Sequence, residues 1–328
     1  MNLLVDAQNL AHRARHAYNL SFHGKDTSVT YGVIRMLMAL LHKYKPTSVL
    51  FAWDGGTPGF RRRLVSSYKS NRSGRELDST WQAFLDQMHE LEQILPHTGI
   101  MQVRRRGIEA DDLLYHASRM VEGHNLIVST DDDMLQCVND KVDVLHPGKV
   151  DKITTLLNFE RSVGYPVYKY VASKVLQGDG SDNVPGVLGI GPKTVKALLK
   201  HSDVVAAATP KVRERIHRFI ESGQYNASYT VMDLSVDRTG ARQALLDAQW
   251  QPYDKRVYQW CIERGFTSLI EAGLSCFGSL QQPAMNGELL RSPRIWDYGR
   301  DPIENDNREY VMAKVYGEVT GAWKHGQE

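Results

Sequence analysis

Residues 48–56 read Ser-Val-Leu-Phe-Ala-Trp-Asp-Gly-Gly. An unbroken apolar run from Val49 to Trp53, closed by a turn, is the pattern of a strand buried on both faces. It ends on Asp54, and Gly55-Gly56 follow. The same grammar recurs twice. Leu3-Leu4-Val5 ends on Asp6, and Asn125 to Ser129 runs into Thr130-Asp131-Asp132-Asp133. Val142 to Leu145 reads as a further strand. Helices fall between these runs. In Thr30 to Tyr44, Ile34, Leu37, Met38 and Leu41 recur at i, i+3, i+4 and i+7, and Pro46 stops the pattern. Leu77 to Leu95 places Phe84, Met88, Leu91 and Leu95 on one side, and Glu109 to Val121 is helical. This alternation predicts a three-layer α/β domain whose mainly parallel sheet is covered on both faces. Ligands of such sheets gather at the carboxyl ends of the strands. Asp6, Asp54 and Asp131 each sit at or just past such an end, so they are expected to converge.

Outward from this core the composition narrows the class. The chain has 328 residues, 42% hydrophobic and 24% charged, enough for about two domains at roughly 150 residues each. No apolar run approaches the ~18 residues of a membrane span, so no membrane partner is expected. The opening Asn2-Leu3-Leu4-Val5-Asp6 is not a secretion signal. Cys137, Cys261 and Cys276 are odd in number and scattered, which suits reduced thiols in a cytosol rather than a disulfide frame or a zinc site. The net charge of +2 argues only weakly for a nucleic-acid partner. Its distribution says more: Arg61, Arg62, Arg63, Lys69, Arg72 and Arg75 form a tract without an acid, and Arg104 to Arg106 form another. An isolated basic run is more often a solvated face than a binding site. The stretch after Pro58 reads as a loop or mobile arm.

From about Pro166 the texture changes to helices (Tyr168 to Leu176, Thr194 to Leu199) and glycine-rich turns. Asp247 to Leu269 is again helical and aromatic. The expected organisation is an α/β core over 1–165 with an arch at about 55–100, a helical region over 166–275 with a hairpin at 178–200, and a tail over 276–328 without a motif.

Nine carboxylates stand out: Asp6, Asp54, Glu109, Asp111, Asp112, Asp131, Asp133, Asp179 and Asp182. Taken singly, each has a structural explanation. Glu109, Asp111 and Asp112 suit a helix's first turn, Thr130-Asp131-Asp132-Asp133 suits an N-cap with a capping-box-like acid three positions on, and Gly178-Asp179-Gly180-Ser181-Asp182-Asn183 is turn chemistry. Gathered, like charges raise one another's pKa and need cations. An all-oxygen set suits Mg²⁺ or Mn²⁺, and two such ions about 4 Å apart stabilise the attacking and leaving oxygens of a phosphodiester. Gly186-Val-Leu-Gly-Ile-Gly-Pro-Lys-Thr194 adds a glycine turn that opens a helix. Gly189 and Gly191 let backbone approach a phosphate, Pro192 suits a first helical position, and Lys193, Thr194 and Lys196 follow.

Gly-Ile-Glu-Ala-Asp-Asp at 107–112, Ser-Thr-Asp-Asp-Asp at 129–133 and the run from Gly178 to Thr194 together resemble the 5′ nuclease (flap endonuclease) family, which includes phage 5′–3′ exonucleases and the nuclease domain of bacterial DNA polymerase I. Phe60-Arg61-Arg62 and Tyr68-Lys69-Ser70-Asn71-Arg72 resemble its arch. The resemblance covers about residues 1–275 and implies a metallonuclease (PIN-like) core with a helix–turn–helix-type duplex-binding hairpin. It implies that Asp6, Asp54, Glu109, Asp111 and Asp112 surround a first metal and Asp131, Asp133, Asp179 and Asp182 a second. Lys69 and Arg72 would reach the scissile phosphate, Arg61, Arg62 and Tyr68 would contact DNA, and the hairpin would hold a K⁺ ion. Tyr18 is a candidate for stacking on a terminal base. Ala7 and Asp132 depart from the family's usual glycine and lysine. The implied partner is branched or 5′-tailed DNA, cleaved in replication or repair by a monomeric stand-alone enzyme of bacterial or phage-infected cytosol. The alternatives are a catalytically silent structure-specific DNA-binding protein and a related metal-dependent ribonuclease.

Overall fold

The computed structural model describes residues 1–72, 79–201, 204–205 and 207–287, apart from the side chain of Arg72. The expectations for Arg72, for residues 73–78 of the arch and for the tail beyond 287 therefore lie outside the described residues. The described chain divides into two compact units, one of residues 1–58, 79–155 and 235–287, the other of residues 59–72 and 156–234.

The first unit begins with β1 (Asn2–Asp6), α1 (Ala7–Ala17), β2 (Ser21–Phe22), β3 (Lys25–Asp26), α2 (Ser28–Tyr44) and β4 (Ser48–Ala52). The chain leaves it for α3 (Gly59–Leu64). It returns with α4 (Ser79–Ile94), β5 (Met101–Val103), α5 (Ala110–Met120), β6 (Asn125–Val128), β7 (Val142–His146) and β8 (Lys152–Thr154). The second unit continues with α6 (Leu156–Val163), α7 (Tyr170–Gln177), α8 (Pro192–Leu198), α9 (Pro210–Glu221) and α10 (Gln224–Met232), and α11 (Ala241–Leu246), α12 (Arg256–Glu263) and α13 (Thr267–Glu271) rejoin the first. No helix among the described residues is long and apolar enough to cross a membrane.

The sheet order is β5-β4-β1-β6-β7-β8, parallel except for β8, which runs against β7. The mainly parallel α/β sheet is as expected. Of this sheet's strands the expectation missed β5 and β8, three residues each, too short to show a period. Side chains alternate across the sheet. Leu3 and Val5, Val49 and Phe51, and Leu126 and Val128 enter one core cluster. Leu4, Leu50 and Ile127 between them are equally buried, and α5 packs against β1, β4 and β6. The first cluster is closed by α1, α2 and α4. In α1, Ala7, Leu10, Ala11 and Ala14 are buried at i, i+3, i+4 and i+7. Gly32 lets α2 lie against α1, since a Cβ there would stand 2.7 Å from Ala14 Cβ. Buried Gln87 of α4 accepts from the backbone N–H groups of Val29 and Thr30, satisfying donors that α2 leaves open at its start.

Two expectations about organisation differ from the structure. The helical stretch near 247–269 does not extend the second unit. Val257, Trp260, Cys261, Phe266 and Leu269 join the sheet's own core, followed by Leu274, Phe277 and Leu280, because α12 and α13 find their apolar partners on α4 and α2. The basic stretch after Pro58 is not simply a loop. It forms α3, which packs on α10, and Arg61 is buried with its Nε donating to the carbonyl of Val231 at the end of α10. A cation at carbonyls left open by a helix end is favourably placed.

Candidate active site

Parallel register sets the geometry of the first unit's acids. Asp6 is level with Ala52 of β4, so Asp54 lies two residues beyond it. Val5 is level with Val128 of β6, so Ser129 is level with Asp6 and Asp131 lies two beyond. Three carboxylates thus stand at the same edge of three adjacent strands, with β1 in the middle. The convergence is electrostatic as well. Burial pushes the Asp6 carboxyl up to about 6, the charges of Asp131 and Asp54 push the same way, and hydrogen bonds from the Asn9 N–H (3.0 Å) and the Ser129 hydroxyl (3.0 Å) oppose them.

Each acid also has a local job. Asp6 is the N-cap of α1, which is why a helix starts directly after the strand. Asp131 caps the short 3₁₀ turn Asp132–Cys137 by accepting from the Asp133 N–H at 2.8 Å. Asp54 accepts from the Gly56 N–H at 2.6 Å. The structural reading of each residue therefore holds without displacing the functional one.

The acids of α5 are brought to the same edge by a backbone clasp. Gly55 N–H donates to the Ile108 carbonyl and Gly107 N–H to the Gly55 carbonyl, both at 2.8 Å. A Cβ on Gly55 would stand 1.9 Å from the Arg105 carbonyl oxygen, so only glycine permits the clasp. It leads into Glu109, the buried residue before α5, which accepts from the Thr57 hydroxyl at 3.1 Å. Asp112 is buried one turn on, and Asp111 is half-buried. Asp111 and Asp133 both raise the buried Cys137 thiol, whose pKa burial pushes up to about 12. Among the described residues, no three His, Cys, Asp or Glu side chains close on one point as a ready-made coordination sphere.

In the second unit, Asp179 pairs with Lys174 at 2.5 Å and accepts from the Ser181 N–H and hydroxyl. Burial raises its pKa, but these bonds outweigh it and hold the carboxyl at about 2. Gly178 and Gly186 face each other so closely that a Cβ on either would strike the opposing backbone, at 2.5 and 2.3 Å. This turn is also bound to residues 67–71. Lys69 N–H donates to the Asp182 carbonyl, the Ser67 hydroxyl to the Asn183 carbonyl, and the Asn183 side chain to Ser67 and Ser70. Lys69 adopts φ 52°, is 8% exposed, and holds its ammonium 3.6 Å from the Asp182 carboxylate. Tyr68 is buried with Val65, Val184 and Val231, whereas Arg62 is exposed. Both Lys69 and Tyr68 were expected to face DNA; here they anchor the segment. Gly191, Lys193 and Lys196 are exposed around the start of α8, where Gly191 is the N-cap and Pro192 the first residue. Gly189 takes φ 72°, and Arg215 donates to the neighbouring Leu188 carbonyl. Tyr18 ends α1 half-buried, edge-on to Tyr31.

Sequence reasoning missed Ser129, Asn9 and Lys174. Ser129 could be found only by drawing the parallel register. Asn9 exchanges two hydrogen bonds with Thr130 across 121 positions.

Comparison with known proteins agrees with this architecture. Residues 1–164 match the family model for the 5′-3′ exonuclease, N-terminal resolvase-like domain. A 5′-3′ exonuclease of Bacillus subtilis is 31% identical over 214 residues, covering 62% of this chain and 71% of that protein. DNA polymerase I of Treponema pallidum is 33% identical over 244 residues, covering 69% of this chain and 24% of that protein. The chain thus spans about a quarter to a third of the polymerase relatives it matches. A bacteriophage T5 flap endonuclease, solved with DNA and metal ions, superposes with a TM-score of 0.61 at 19% identity, over 83% of this chain and 99% of that one, and so shares the fold. The chain belongs to the 5′-3′ exonuclease family.

Proposed function

We propose that this protein is a structure-directed, divalent-metal-dependent 5′ nuclease, cleaving DNA phosphodiesters near 5′ ends and single-strand/duplex junctions in replication or repair, as a monomer. The observation that carries the reading is the level placement of Asp6, Asp54 and Asp131 on adjacent strands, with Asp6 driven up to about 6 chiefly by burial and in smaller part by the charges of the other two. Such mutual repulsion is what a divalent cation relieves. The donor set is all carboxylate oxygen, which fits Mg²⁺ or Mn²⁺. Asp6, Asp54, Glu109, Asp111, Asp112, Asp131 and Asp133 would hold the cations in the first unit. Asp179 and Asp182 are proposed for the second metal on the family resemblance alone, and so is a K⁺ ion at the hairpin. When bound, two cations lower the charge that builds on both oxygens of an in-line displacement.

The chain's own residues do the rest. Ser129 and the Asn9 N–H hold the two Asp6 oxygens in place. The Asn9–Thr130 pair fixes the β6 loop on α1. Lys193, Thr194 and Lys196 with Gly189 and Gly191 would grip a duplex backbone without reading bases. Lys69 and Arg72 are proposed to contact the scissile phosphate, and for Lys69 this requires opening its pair with Asp182.

The test is to incubate the protein with a 5′-flap DNA, its RNA counterpart and a blunt duplex, in Mg²⁺ and in EDTA. Cleavage of the flap DNA in Mg²⁺ alone is expected. No Mg²⁺-dependent cleavage, with the flap DNA still bound, would leave the silent DNA-binding reading in its place. Asp131→Asn should bind the flap DNA like wild type and not cut it.

A further inference from the structure

The second unit carries an open cleft of about 640 Å³ that shares only Lys196 with the residues proposed above to grip a duplex. Its charged lining is one-sided. Arg161, Lys169, Lys196 and Lys200 contribute four cations, against the single carboxylate of Glu160. Arg161, Lys196 and Lys200 are exposed. An aromatic ring is set among them, with Tyr168 53% exposed. Water-facing tyrosine of this extent on a basic surface is the combination that binds single-stranded nucleic acid: cations follow the backbone, and a ring offers any base a face.

The cleft is built from fixed parts. Lys169 donates to the carbonyls of Leu199 and His201, at 2.8 and 2.9 Å, just past the end of α8. Its ammonium also stands 5.8 Å from the centre of the Tyr168 ring, which holds the ring beside the cation. Gly164, with φ 104°, leaves the space that the Lys196 stem fills; a Cβ there would lie 1.9 Å from Lys196 Cε. Behind the wall, the buried Tyr165 hydroxyl donates to Ser173 at 2.6 Å. The volume lies in the range of a small-ligand site.

We infer that this cleft binds an unpaired DNA strand, with phosphates on Arg161, Lys196 and Lys200 and one base stacked on Tyr168. The inference adds a second DNA site to the nuclease reading and rests on DNA being the substrate. A junction enzyme gains from it a hold on a strand that has left the duplex.

The experiment measures binding of a fluorescein-labelled ten-residue oligothymidylate to the full chain by anisotropy in EDTA, alongside a blunt duplex of equal charge. Tyr168→Ala should weaken oligothymidylate binding about tenfold, as loss of one stacked base does, and leave blunt-duplex binding within about twofold. The double variant Arg161→Ala with Lys200→Ala should weaken it further and flatten its salt dependence. In parallel, a 5-iodouracil oligonucleotide is photo-crosslinked to the wild-type protein and the attachment site read by mass spectrometry, with Tyr168 expected. Wild-type affinity in Tyr168→Ala, or crosslinks found only on other segments, overturns the inference. Flap cleavage with no measurable oligothymidylate binding also overturns it and leaves the nuclease standing. Tyr168-dependent binding without Mg²⁺-dependent cleavage supports the cleft and sinks the nuclease reading instead.

Discussion

Asp6 shows how one side chain can serve both the fold and the proposed chemistry. It caps α1, accepts from Ser129, and is 6% exposed beside two other acids. Its pKa is raised from 3.8 to about 6, so the native state holds its proton more tightly than the unfolded chain does. The stability this contributes is fully present below pH 3.8 and lost as pH rises through about 6. At neutral pH the ionised carboxylate is therefore a strain on the fold. Asp6→Asn is expected to raise stability in EDTA at pH 7.5 by about 1–3 kcal/mol and to remove activity in Mg²⁺. The gain should shrink toward zero near pH 4. Urea midpoints at both pH values check it, and a variant less stable than wild type at pH 7.5 would show that the Ser129 and Asn9 bonds outweigh the repulsion. The position of Asp6 at a strand end was legible in the sequence. Its near-complete burial was not, because burial depends on α1 folding back over β1.

Among the elements, the turn from Gly178 to Gly186 is the clearest case of local pattern and tertiary contact combining. Glycine and aspartate spacing announces a turn. What stabilises it is the helix that leads into it, through the Lys174 ammonium of α7 on Asp179. Asp179 is held at about 2, below the ordinary 3.8, so its contribution is present above pH 3.8 and lost as pH falls toward 2. Removing one member of a largely buried pair strands the other. Lys174→Met should therefore cost about 1–3 kcal/mol at pH 7, and the gap to wild type should close between pH 4 and pH 2. Denaturation midpoints across that range test it, and a gap independent of pH would assign the loss to packing. The docking of residues 67–71 on the same turn is another matter. Lys69, Tyr68 and Arg61 share one basic, aromatic tract with exposed Arg62, and residue type alone cannot say which of them turns inward. Backbone partners decide it: Lys69 N–H is taken by Asp182 and the Arg61 guanidinium by Val231.

For the molecule as a whole, the first unit draws its core from three separated lengths of chain. Residues 257–280 supply Val257, Trp260, Cys261, Phe266, Leu269, Leu274, Phe277 and Leu280 to the cluster that also holds Leu3, Phe51 and Val128. Each large buried apolar side chain is worth roughly 1.5–3 kcal/mol, so this set is at least comparable to the net stability of a domain, about 5–15 kcal/mol. A chain ending at Asp254 is expected to show no cooperative unfolding transition by calorimetry and to bind a hydrophobic dye. A sharp transition near that of the full chain would mean that the sheet and its first helices fold without these residues.

The sequence by itself determined the parallel α/β core, the acids at three strand ends, the glycine turn before α8 and the family, because all of these are written in local pattern: period, apolar runs, turn residues and motif order. Tertiary structure alone decided that Ser129 stands level with Asp6, that Gly55 must be glycine, that α12 and α13 belong to the sheet's core, and that Arg61, Tyr68 and Lys69 are buried while Tyr168 faces water. Register, close approach and burial arise from segments far apart in the chain, and no local period records which partner each will meet.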